Sequence, residues 1–198
     1  YEGTMLPNFF MGPTLYDADF ARVALHNQRQ TPCAAGETCF LVHTDMLHEA
    51  PLCVGIAHDA TASVRQFGQD FVNVYWAFDG LHGQLVRFDF ESDHGPGSMA
   101  HMYASVRRYD NLALHRRANV PSGMVVDAAS KTLYVADTGA DRVLAARIDS
   151  GTYIRDARAD FPIYSAPEPS FNYSIWSGLE WRVLQSVPSP SGLALDAS

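Results

Sequence analysis

Apolar and polar positions partly alternate in Gln84-Leu-Val-Arg-Phe-Asp89 and in Arg142-Val-Leu-Ala-Ala-Arg-Ile-Asp149, as half-buried β-strands require. Each of these runs follows another that ends in a tight turn. Val74-Tyr-Trp-Ala-Phe-Asp79-Gly80 precedes the first, and Leu133-Tyr-Val-Ala-Asp137-Thr-Gly139 precedes the second. Ahead of each pair stands a short apolar run closed by aspartate: Pro51-Leu-Cys-Val-Gly55-Ile-Ala-His-Asp59 and Pro121-Ser-Gly123-Met-Val-Val-Asp127. A fourth strand is expected at Ala104-Ser-Val-Arg-Arg-Tyr109 and, in the second unit, at Trp181-Arg-Val-Leu-Gln185. The pattern predicts an all-β chain built from four-stranded units.

The units are copies of one another. A third opening run, Pro190-Ser-Gly192-Leu-Ala-Leu-Asp196, extends the series, and Gly55, Gly123 and Gly192 stand 68 and 69 residues apart. Each copy reads as a glycine turn, an apolar strand and an aspartate turn, with Asp59, Asp127 and Asp196 closing the three strands. Four strands per unit describe a propeller blade. Val120-Pro-Ser-Gly-Met-Val-Val-Asp127 together with Leu133-Tyr-Val-Ala-Asp-Thr-Gly-Ala-Asp-Arg-Val143 closely resembles the NHL repeat. The resemblance is specific over residues 120–149 and looser over 51–90. The stretch from Asp45 to Gly97 is also similar to uncharacterised NHL-containing proteins. The resemblance implies an incomplete β-propeller of four-stranded antiparallel NHL-like blades with long loop insertions, and it implies a fold, not an activity.

The period exceeds an ordinary blade of about 40–45 residues by about 25. The surplus falls between third and fourth strands, at 91–103 and 150–178, with further residues at 60–71 and 112–119. Both long connections are expected to be loops on the same face. The expected organisation is a preceding partial blade with a disulfide-type loop over 1–50, one blade over 51–120, a second with a Pro/Ser-rich insertion over 121–189, and the first strand of a truncated next blade over 190–198.

Composition adds limits. The formal net charge of -8 disfavours phosphate backbones as partners, so no nucleic acid is expected. No apolar run approaches the roughly 20 residues needed to span a bilayer. Three cysteines are present, and Cys33 and Cys39 flank a short loop that a disulfide could close, leaving Cys53 over; three buried thiols are the alternative. Asn172-Tyr-Ser174 is a sequon in a Pro/Ser-rich stretch and fits a glycosylated loop. Cysteines and sequon together favour a secreted or lumenal protein.

Histidine is the residue type that invites chemistry, because imidazole binds divalent metals well. Strand order places His58, His94 and His101 on one face, with Asp59 and Asp93 able to add carboxylates; a surface loop held by aspartate turns is the plain alternative. His48 and His82 form a second pair on the other face, beside Asp45 and Asp79. Asp137-Thr-Gly139 has the look of an aspartic-protease signature, but its surroundings fit the repeat better. Asp137 is therefore expected to hold a turn, paired with Arg142 or a neighbouring carbonyl. No phosphate loop or nucleophile elbow is present, and no catalytic set is evident.

These features favour an extracellular module for protein binding or structural assembly, with recognition in its long insertions. The alternative is a metal-dependent enzyme resembling the peptide-amidating lyase, a propeller of NHL-like blades whose zinc is held by histidines. Pro121 and Pro190 stand in the opening turns where that comparison would place such ligands.

Overall fold

The computed structural model describes residue 50 and residues 52–61, 64–66, 69–71, 74–90, 105–157 and 172–196. Among them the chain is all-β, with twelve strands, a one-turn 3-10 helix at Thr138–Ala140 and no α-helix. The strands are β1 Cys53–His58, β2 Val64–Gln66, β3 Gln69–Phe71, β4 Val74–Asp79, β5 Gln84–Asp89, β6 Ser105–Tyr109, β7 Met124–Asp127, β8 Thr132–Asp137, β9 Arg142–Arg147, β10 Thr152–Asp156, β11 Asn172–Ser177 and β12 Trp181–Ser186. No helix is long and apolar enough to cross a membrane among these residues.

Two sheets carry the architecture, and neither is closed. The second is an antiparallel meander in the order β12-β9-β8-β7, the four strands expected for 121–189. The first contains the matching meander β1-β4-β5-β6 but does not end there. It runs on through β11 and β10 to six strands, and β11 lies parallel to β6. This corrects the expectation of four antiparallel strands. It also corrects the reading of 150–178 as loop throughout, since that insertion contributes the paired strands β10 and β11 to the sheet of the preceding unit. The physical reason is pairing: β6 would otherwise end the sheet with unpaired N–H and C=O groups. The surplus after β1 likewise holds a small hairpin, β2–β3.

Side chains alternate across the first sheet, as a period of two demands. Ala77, Val86, Phe88, Val106, Tyr173 and Ile175 fill one core. Trp76, Phe78, Leu85 and Tyr109 point to the other face and join Met124, Leu133, Val135 and Leu144 of the second sheet in a core shared by both. Within it Trp76 stacks on Tyr109 at a centroid distance of 5.4 Å. Such a pair adds about 0.5–1.5 kcal/mol beyond its buried area.

Consecutive opening strands touch directly, and the repeated glycines are the reason they can. Gly55 lies inside β1 at a bulge, not in a turn. A Cβ there would overlap the Ser122 carbonyl oxygen. A Cβ at Gly123 would lie 2.6 Å from the Ser191 carbonyl oxygen and 2.9 Å from the Leu193 nitrogen. Both glycines thus serve close backbone approach between neighbouring copies, which corrects their reading as turn glycines. Ser122 N–H donates to the Val54 carbonyl at 2.8 Å, and Gly123 N–H to that of Ser191 at 2.5 Å. Residues 190–196 follow this contact but form no strand, against expectation, because no described strand pairs with them.

Candidate functional site

Asp59 and Asp127, which close the first two opening strands, are structural. Asp59 is buried and accepts from Thr61 N–H, the Thr61 hydroxyl and Trp76 Nε1, the last at 3.0 Å. Asp127 is half-buried and holds the same kind of turn, accepting from Ala129 N–H and from the Ser130 hydroxyl, which keeps its carboxyl below the usual range. Asp196 is exposed.

Two further aspartates, Asp79 and Asp137, occupy equivalent strand ends and are both fully buried. Asp137 meets Arg142 Nε at 2.7 Å and accepts from His115 N–H, while Arg142 Nη2 also donates to the Ala113 carbonyl at 2.9 Å. The expected pairing of Asp137 and Arg142 is present, so the carboxylate is committed to the turn. Thr138 then ties the copies together. Its hydroxyl donates to the Pro190 carbonyl at 2.6 Å and lies 2.9 Å from that of Ser122. Asp79 takes a different cation, Arg108 Nη1 at 2.7 Å, and also meets His82 Nδ1 at 2.7 Å, with Leu81 and His82 N–H groups completing the turn.

The histidine candidates fare as follows. His82 contacts Asp79. His58 is exposed at the end of β1, its ring 5.2 Å from that of Tyr75. Among the described residues no group of three or more His, Cys, Asp or Glu is placed to hold a metal ion. His48, Asp93, His94 and His101 lie outside the described residues, as do Cys33 and Cys39. Cys53 is a free thiol that donates to the Gly55 carbonyl at 3.1 Å. Burial pushes its pKa up to about 11, which keeps the thiolate scarce at neutral pH and argues against a nucleophile.

The inserted hairpin builds a different kind of site. In-register pairing aligns Trp76, Arg87, Arg107, Ser174 and Asp156 in a row across one face of the first sheet. The outer half of that face holds a hollow of about 260 Å³ lined by Ser105, Arg107, Tyr153, Asp156, Asn172, Ser174 and Trp176. The Arg107 guanidinium lies 4.3 Å from the centre of the Trp176 ring, and burial, then the like charge of Arg87, lowers its pKa. Trp176 Nε1 donates to the Ser174 hydroxyl at 2.9 Å, and that hydroxyl donates to the Val106 carbonyl at 3.2 Å. A cation, a carboxylate, an amide, hydroxyls and two aromatic rings therefore line one hollow over paired strands. Of its lining Tyr153 is 58% exposed, and Ile154, next to it in β10, is 51% exposed.

Asn172 sits exposed at the start of β11, so the sequon lies on a strand and not in a loop. This site was missed in the sequence because Pro and Ser between the two strands masked them. The alternation in Asn172-Tyr-Ser-Ile-Trp-Ser177 is the signal that could have revealed it. Compared with protein-family models, with curated proteins and with solved structures, the chain finds no match in any of the three.

Proposed function

We propose that this chain is part of a β-propeller serving outside the cytosol as a protein-binding and assembly module, with contacts made through the hairpin β10–β11. The observation that carries the reading is the pairing of exposed Tyr153 and Ile154 with the adjoining hollow over β6, β10 and β11. Apolar side chains grouped beside polar ones on paired strands suit macromolecular contact. The propeller reading draws support from two antiparallel meanders whose opening strands pack together through repeated glycines. The extracellular placement draws support from an exposed Asn172 in its sequon.

Sedimentation velocity over a wide concentration range tests the assembly. The protein associates, and Tyr153→Ser combined with Ile154→Ser weakens association about tenfold or more, equivalent to about 1.4 kcal/mol. A monomer at every concentration, or a variant that associates equally well, would sink the reading. So would stoichiometric zinc in the purified protein, which would favour the histidine-ligated enzyme.

A further inference from the structure

Opposite charges stand on the two sides of β11. In-register pairing sets Arg107 of β6 and Asp156 of β10 on either side of Ser174, on one face of the sheet. Neighbouring strands lie about 4.7–4.9 Å apart, so the two charged positions are equally far from Ser174 and about 10 Å from each other. Both line the hollow. Arg87 of β5 stands directly opposite Arg107, which concentrates positive charge on the β6 side. Trp176 holds the Arg107 guanidinium in place from 4.3 Å. On the other side Asp156 is exposed.

This layout is self-complementary. A two-fold axis parallel to β11 and passing over Ser174 brings a second copy face to face with the first. Arg107 of each copy then lies over Asp156 of the other, because the two positions are equidistant from the axis. The same operation sets the exposed Tyr153 of each copy over β6 of the other. Two copies with a formal net charge of -8 each repel at long range, so a contact between them has to match sign locally.

We propose that the occupant of this face is a second copy of the chain, docked about that two-fold axis, with Arg107 and Asp156 forming two reciprocal ion pairs. The inference rests on assembly through β10 and β11, and it adds the partner, the symmetry and the residues that set the register. An isologous contact of this kind closes at two copies.

Sedimentation velocity on charge-reversed variants tests it. The native protein is expected to form dimers and nothing larger. Asp156→Arg sets arginine over arginine, and Arg107→Glu sets carboxylate over carboxylate, so each variant alone is expected to dimerise about tenfold more weakly. Mixed in equal amounts, the two regain both pairs with their signs exchanged, and a heterodimer within about threefold of the native affinity is expected. Asp156→Arg lies at an exposed position and keeps the fold. Adding Arg107→Gln to it in the same chain removes the clash of arginines and is expected to regain about threefold, which keeps the test standing if Arg107→Glu does not fold. Reversals that leave dimerisation unchanged, a mixture of folded variants that does not recover, or growth beyond two copies would overturn the two-fold pairing and leave assembly through the hairpin in place. A monomer at every concentration would overturn both.

Discussion

Gly55 and Gly123 are separated by a whole repeat yet meet the same demand, a neighbouring backbone where a side chain would have to stand. Alanine at either position forces that backbone to move, at about 1–3 kcal/mol. Gly192→Ala is expected to stay within about 0.5 kcal/mol, since the space there is open. Denaturant midpoints of the three variants compare them directly. Cys53 supplies a test in pH. Its thiol is protonated in the fold up to about pH 11, whereas the unfolded chain ionises nearer its ordinary value of about 8.5. The unfolded state thus binds fewer protons in that window, so the contribution is full below it and lost as pH rises through about 11. Unfolding free energies between neutral and alkaline pH should fall more steeply for the native protein than for Cys53→Ala. Equal slopes would remove Cys53 as the cause.

Strand ends show how equivalent elements solve one problem with different residues. Asp79 and Asp137 are both buried, but Asp79 is answered from the fourth strand by Arg108, and Asp137 by Arg142 just past the turn. Asp79→Asn strands the buried Arg108 without its counter-charge, and the expected loss is about 3–5 kcal/mol. Arg142 is partly exposed and Asp137 retains its bond from His115 N–H, so Arg142→Gln is expected to cost less, about 1–3 kcal/mol. Thermal or chemical unfolding of both variants checks the order. In the hairpin, Trp176→Leu removes the contact with Arg107 and the bond to Ser174, about 1–2 kcal/mol together. Hydrogen exchange in that variant should quicken in β6 before β8 or β9; uniform quickening would contradict the local role of the hairpin.

Across the whole molecule, the strands of the two meanders were legible because most are short apolar or partly alternating runs punctuated by Gly, Pro or Asp. Asp137 with Arg142 was legible for the same reason, being a local turn. Three features were not. The glycine contacts join residues a repeat apart, and spacing alone cannot distinguish a turn from a close approach. The pairing of β11 with β6 spans 67 positions between Asn172 and Ser105, beyond the reach of local pattern. The hollow follows from that pairing and so was hidden with it. What unites these features is that neighbouring repeats interlock, by glycine contacts at their opening strands and by a lent strand at the first sheet's outer edge.

That lent strand is open to direct measurement by nuclear Overhauser contacts between the backbones of β6 and β11. The account predicts contacts in a parallel pattern, with Asn172 beside Ser105, Ser174 beside Arg107 and Trp176 beside Tyr109. An antiparallel pattern, or no contact between the two segments, would contradict it.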